Sequence, residues 1–188
     1  MSPRVGLTLQ RVVATAEHIA DTSGLQEVTL SVLAKRLGVR SPSLYNHVSN
    51  LHDVRKHLGI SGLEKLYMTL KRAIEGKVKD EAIYALGKAY VSFVRTHPGL
   101  YEATFLHDEE VGRAGDKIVQ LCLSILKQYH LQEEEALHAT RGLRSICHGF
   151  SSLEQRGGFG LPLHVDESLE LLLEAFVKGL PKFQEKKE

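Results

Sequence analysis

Apolar residues recur at three- and four-residue spacing along almost the whole chain, and no stretch alternates in the strict two-residue period of a strand. Over residues 9–23, Leu9, Val13, Ala16 and Ala20 share one face, Val12 and Ile19 widen it, and Gly24 stops the helix. Leu30, Leu33, Ala34 and Leu37 then form the stripe of a short helix, with Thr29 as N-cap and Gly38 at its end. A second short helix is expected from Ser41 as N-cap and Pro42 at its first position, turning Leu44 and Val48 inward. Ser43, Asn46 and His47 are left outside. Small Ala34 and Gly38 let two helices cross closely, which is the helix-turn-helix pattern.

Further along, a helix is expected over about 51–74, with Asn50 as cap. Gly59 and Gly62 lie inside it, each costing about 1 kcal/mol relative to alanine. They serve either close packing against a neighbour or a pliant joint. Asp80 is placed as the N-cap of a helix reaching Thr96, after which His97-Pro98-Gly99 breaks the chain. A short helix over 100–106 is expected, then a loop over the acidic, glycine-containing stretch His107 to Gly115. Ile118, Leu121, Cys122, Ile125, Leu126 and Tyr129 give a broad apolar face, and another long helix covers about 133–155. The run GGFGLP (157–162) is a clear break, Asp166 is placed as the cap of the last helix, and the charged tail after Pro181 is expected to fray. The sum is an all-α fold of about nine helices, a small head (1–50) followed by a larger body (51–188).

The surface of the second short helix changes this from a bundle to a candidate reader of DNA. Its outward side chains are short, polar and uncharged, with donors and acceptors suited to base edges. An ordinary helical hairpin has the same apolar pattern, so the residues alone leave both readings open. The run from Thr29 to Val48, with Leu37-Gly38-Val39, Pro42, Leu44-Tyr45 and His47-Val48, resembles the DNA-binding segment of the tetracycline-repressor (TetR) family.

That resemblance implies that residues 1–50 are a DNA-binding domain, a three-helix head whose third helix enters the major groove, and that residues 51–188 are a ligand-binding and dimerisation domain. It places Ser43 and Asn46 at the bases and Tyr45 and His47 on phosphates, with Arg40 able to reach either and Thr29, Ser41 and Pro42 shaping the motif. Where the family usually carries a lysine after the recognition helix this chain has Leu51, and His52, Arg55 and Lys56 stand as substitutes. Thr140 to Ser168 resembles the ligand-binding domain of a TetR subgroup known for a Trp-His-Gly motif, with Cys147-His148-Gly149 at that place. The family's effector pocket then falls to Tyr90, Phe93, Tyr101, Phe105, Cys122 and His148, each of which fits plain core equally well. The family's four-helix dimer interface falls to Leu143, Ile146, Phe150 and Leu153 on one helix and Leu169, Leu172, Leu173 and Phe176 on the next. Expected partners are a palindromic DNA operator, a small apolar or amphipathic effector, and a second copy of the chain.

Composition alters this little. Residues 1–58 carry seven basic and four acidic side chains, and the remainder 17 and 19, a slightly basic head on a slightly acidic body. No apolar run reaches the ~20 residues of a membrane span, and no apolar signal region opens the chain, so a cytoplasmic protein is expected. Cys122 and Cys147 sit in apolar helical contexts and read as buried, reduced thiols. Glu135-x-x-His138 has the spacing used in carboxylate-bridged di-iron bundles, but no second pair accompanies it. Neither a metalloprotease motif, a Cys-x-x-Cys, a phosphate loop nor a nucleophile elbow is found, so no cofactor, metal or catalytic residue is assigned. A helical-bundle enzyme or metal carrier with an incidental hairpin is the rival reading.

Overall fold

The computed structural model describes residues 6–183, so the expected fraying beyond Pro181 falls mostly outside the described residues. Among those residues there are eight α-helices and four short 3-10 segments, and no strand. The α-helices are α1 (Leu9–Ser23), α2 (Leu30–Leu37), α3 (Leu51–Ala73), α4 (Lys79–Thr96), α5 (Pro98–Ala103), α6 (Glu109–Leu126), α7 (Glu133–Gln155) and α8 (Val165–Gly179). The chain divides into two compact units. The first runs to Glu64 and takes in Thr96–Gly115; the second comprises Lys65–Arg95 and the chain from Asp116 onward. The division falls inside α3 and α6, so the first unit is larger than a three-helix head.

Backbone contacts explain that enlargement. Gly99, in α5, lies so close to α1 that an added Cβ would stand 1.9 Å from the Ala20 carbonyl oxygen. Asp21 completes the joint by accepting the Leu100 amide at 2.8 Å and bonding His97 Nδ1 at 2.7 Å. It thereby supplies the cap that α5 lacks from its own N-cap residue, His97. Gly59 and Gly62 bring α3 against the same helix: a Cβ there would meet the Ala103 carbonyl at 2.8 Å and the Leu100 carbonyl at 2.9 Å. Both glycines are therefore close-packing residues.

Several helix boundaries differ from the sequence pattern. His107–Gly115 is not a loop, because α6 begins at Glu109. Asp108 accepts the Glu110 amide at 2.8 Å and the Val111 amide at 3.3 Å, while Glu109 and Glu110 place negative charge at the positive end of the helix dipole. These gains outweigh the cost of Gly112 and Gly115. Pro98 opens α5 rather than preceding it, since a missing N–H is harmless at a first helical position. Asp80 lies inside the first turn of α4. Asp166 lies inside α8, with His164 at the N-cap, and pairs with Arg95 at 2.6 Å. Arg95 also holds Glu154 through two bonds of 2.9 and 2.7 Å, joining α4, α7 and α8 within the second unit.

The second unit's core is built from Leu70, Ile83, Leu86, Leu143, Leu169 and Leu173, all buried. Gly87 admits Leu173, whose side chain would lie 2.6 Å from an added Cβ.

Gly99→Ala is expected to lower stability by ~2 kcal/mol or more, because the clash is with backbone that has no room to yield. Gly112→Ala, a helical position with no heavy atom within 4 Å of the new Cβ, is expected to raise it by about 0.5–1 kcal/mol. Thermal melts of the two variants against the parent protein measure both, and equal melting temperatures for all three would refute the close-packing account.

Candidate nucleic-acid interface and interior cavity

The segment from Thr29 to Val48 forms with its first helix capped as the sequence dictates. Thr29 caps α2 by accepting the Val32 amide at 3.2 Å. Gly38 ends it in the left-handed conformation, φ 68°, where a β-carbon would be strained. The next element is a 3-10 segment, Ser41–Asn46, rather than an α-helix, with Arg40 rather than Ser41 at its N-cap. Six residues with Pro42 near the start offer few i→i+4 bonds, and the Ser43 amide closes instead on the Arg40 carbonyl at 2.9 Å. Leu44 and Val48 are buried as expected, 0% and 2% exposed. They pin the segment so that Ser41, Pro42, Tyr45 and Asn46 are exposed, with Ser43 and His47 half-buried. Arg40 is exposed and Thr29 is occupied with its cap.

The following turn is also built by capping. Asn50 accepts the Asp53 amide at 2.9 Å, and Asp53 reaches back to the Ser49 amide at 2.9 Å. That bond from the Ser49 amide, aided by His57 and Lys56, holds the Asp53 carboxyl below its ordinary pKa against the opposing effect of burial. Lys56 lies between Glu110 at 3.0 Å and Asp53 at 3.6 Å, and its hydrogen bond to Glu110 raises its pKa. His52 sits 3.6 Å from Asp108. Burial acts to raise the Asp108 pKa, but bonds from the Glu110 and Val111 amides and from His52 leave it lowered. Two of the three basic groups expected to replace the lysine at Leu51 are thus engaged by carboxylates of the α6 N-terminus. The third, Arg55, is half-buried with its Nε unpartnered.

The residues assigned to an effector pocket divide between the units. Tyr101 and Phe105 belong to the first, their rings edge-to-face at 5.1 Å, Tyr101 buried and Phe105 exposed. Tyr90, Phe93, Cys122 and His148 belong to the second. There, Tyr90 and Cys122 line a narrow gap together with Leu70, Leu86, Ile118, Leu143, Arg144 and Cys147. Nowhere is this gap wide enough for a water molecule. Phe93 is buried outside its lining, and His148 is exposed on α7, one residue past the buried Cys147. Arg144 does not stand out in the sequence; only its position one turn before His148 and beside Leu143 could have marked it.

The dimer candidates also separate. Leu143, Phe150, Leu169 and Leu173 are buried within their own unit, and Ile146 and Phe176 are half-buried. Leu153 and Leu172 remain exposed, joined by Leu171, Leu161 and Leu163, which the periodicity does not single out. Both cysteines are free and buried, and burial pushes Cys122 up to about 11 and Cys147 up to about 12. Among the described residues no group of three metal-ligating side chains gathers, and no helix is long and apolar enough to cross a membrane.

An exposed polar edge held on a buried leucine and valine, after a tight turn from a capped helix, defines a helix-turn-helix protein. Residues 83–176 match the family model described as tetracyclin repressor-like, C-terminal domain. YobS, an HTH-type transcriptional regulator of Bacillus subtilis, is 40% identical over 183 residues, 96% of each chain. The chain belongs to the tetracycline-repressor-like family of helix-turn-helix transcriptional regulators. Its fold is shared with a protein from Rhodococcus sp. RHA1 at a TM-score of 0.83 and 23% identity, covering 95% of this chain and 98% of that one. It is shared too with a TetR variant from Acinetobacter baumannii solved with minocycline, at a TM-score of 0.67 and 16% identity, covering 91% and 94%.

The depressed Asp53 carboxyl contributes stability that is complete above its ordinary value of 3.8 and is lost as pH falls through the lower folded value. Asp53→Asn is therefore expected to flatten the decline of melting temperature below about pH 4; an unchanged slope would show that Asp53 plays no part. Both thiols should resist alkylation at neutral pH until denaturant is added, because the thiolate is the nucleophile and burial suppresses it. Rapid labelling of the native protein would contradict that burial.

Proposed function

We propose that the protein is a homodimeric repressor whose two recognition segments enter successive major grooves of a palindromic operator, and which a small amphipathic effector releases. The observation that carries this reading is the exposed edge of Tyr45 and Asn46, flanked by Ser43 and His47, on a segment anchored by fully buried Leu44. In this reading Asn46 pairs with a base, the Asn amide being suited to adenine, and Tyr45, His47 and Arg40 hold the backbone on either side. The head's small positive balance gives modest attraction for any duplex, so selectivity rests on neutral donors and acceptors. Two copies are required because a palindrome presents half-sites about 34 Å apart. The exposed leucines of α7 and α8, Leu153, Leu171 and Leu172, offer apolar surface for that pairing.

Release is a coupling of two equilibria. An effector must bind the DNA-free arrangement more tightly than the DNA-bound one; equal affinity for both would release nothing.

A gel shift on the DNA upstream of the protein's own gene tests the reading, with salt varied. Sequence-selective binding that weakens steeply with salt is expected. Asn46→Ala should cost about 1–3 kcal/mol on the cognate site and little on unrelated DNA. A uniform loss across sequences would place Asn46 on a phosphate, and indifference to sequence in the parent protein would overturn the reading.

A further inference from the structure

We infer that Glu110, backed by Asp108, is an intramolecular competitor for DNA phosphate: the acidic start of α6 occupies Lys56 and His52 of α3 and so lowers affinity for any duplex. This rests on the reading of Ser41–Asn46 as the segment that enters DNA, and it adds residues that set how tightly the protein binds.

The chain itself places the two basic groups next to that segment. Helix α3 starts at Leu51, and a single hydrogen-bonded turn joins it to Asn46. In that turn the Val48 amide closes on the Leu44 carbonyl at 3.0 Å and the Ser49 amide on the Asp53 carboxylate at 2.9 Å. The first turns of α3 are thereby tied to the segment that exposes Tyr45 and Asn46. His52 and Lys56, four residues apart, share one face of those turns. An element joined so closely to one lying in a groove meets the phosphates that border it.

That face is met by carboxylates from a distant part of the same unit. Glu110 accepts from Lys56 Nζ at 3.0 Å, across 54 residues of sequence, and Asp108 lies 3.6 Å from His52 Nε2. Asp53 adds contacts of 3.6 Å to Lys56 and 3.7 Å to His57. Asp108 is fixed in place because it also accepts the Glu110 and Val111 amides, at 2.8 and 3.3 Å. Lys35, Arg36 and Arg40, the basic residues of α2 and the turn after it, enter none of the ion pairs found among the described residues. Around the motif, neutralisation therefore falls on α3.

The consequence for binding is electrostatic. Duplex affinity grows with the number of phosphates that the protein's cations neutralise, because each releases condensed counterions. A lysine already facing a carboxylate must give up that partner first, so the pair subtracts from affinity without reading sequence. Pairs this exposed are each worth little, so the subtraction is severalfold rather than complete.

Fluorescence anisotropy across a salt series tests this with two duplexes, the DNA upstream of the protein's own gene and one of unrelated sequence. Glu110→Gln should tighten both by roughly two- to fivefold at low salt. It should also steepen the logarithmic salt dependence by about one phosphate contact. Adding Asp108→Asn, which keeps a side chain suited to capping, should tighten both further. Glu109→Gln is the control, removing the same charge from the same turn. Glu109 pairs with Arg113 at 2.7 Å, and its loss should leave affinity within about 1.5-fold of the parent. In a Lys56→Gln background, Glu110→Gln should do no more than this control, and every variant should melt with the parent protein. A gain that is absent from Glu110→Gln, is matched by Glu109→Gln, or persists without Lys56 would overturn the inference. A Lys56-dependent gain on two duplexes that the parent binds equally would sustain it and defeat the reading of a sequence-selective operator complex. Failure of every variant to bind either duplex at low salt would defeat both.

Discussion

The contact of Gly99 with the Ala20 carbonyl allows no side chain between α1 and α5, and the first unit takes its form from that restriction. With the backbones in touch, Asp21 reaches the free amide of Leu100 and the imidazole of His97 together. Gly59 and Gly62 bring α3 against α5 as well. The Ser41–Asn46 segment, with Leu44 and Val48 buried beneath it, thus belongs to a unit that includes α5 and the start of α6. A displacement of α5 is resisted by backbone, which yields far less than flexible side chains do.

Electrostatics in this unit follow from the same assembly. The first turn of α6 is acidic, and its carboxylates face the basic side chains that open α3. Lys56 and His52 are therefore matched within the protein, and any phosphate approaching them would have to compete with Glu110 and Asp108. Such partly exposed pairs are each worth little, so that competition would be weak. In the reading proposed above, recognition falls instead to the neutral edge of Ser43, Tyr45 and Asn46, of which Tyr45 and Asn46 are exposed and Ser43 half-buried.

In the second unit polarity is scarce and placed. Arg95 fastens α4, α7 and α8 through Glu154 and Asp166. Arg144 has no such partner among the described residues and looks onto an apolar gap, and two hydroxyls on its helix are buried without matches. Both arginines are part-exposed, yet only Arg95 is engaged as a structural tie. The contrast separates a residue that ties three helices together from one that does not.

The local chemistry of the head was legible in the residues themselves. Thr29, Gly38 and Asn50 act as caps where a hydroxyl, a missing Cβ and a side-chain carbonyl are each suited to act. Leu44 and Val48 lie inward because apolar spacing has one reading on so short a segment. The all-helical fold and most helix limits followed from the same rules. The start of α6 did not, since Gly112 and Gly115 suggest a loop unless the capping bonds of Asp108 are counted. Nor did the division of the apolar candidates: His148 shares a helix and a motif with Cys147, yet one is exposed and the other buried. Helix spacing states which residues share a face, and it carries no information about which of several neighbours that face will meet. Interactions within about one turn of helix were therefore decided by the sequence alone, whereas the placement of α5 on α1, the capture of Lys56 by Glu110 and the exposure of Arg144 to the gap required residues distant in the chain to be brought together.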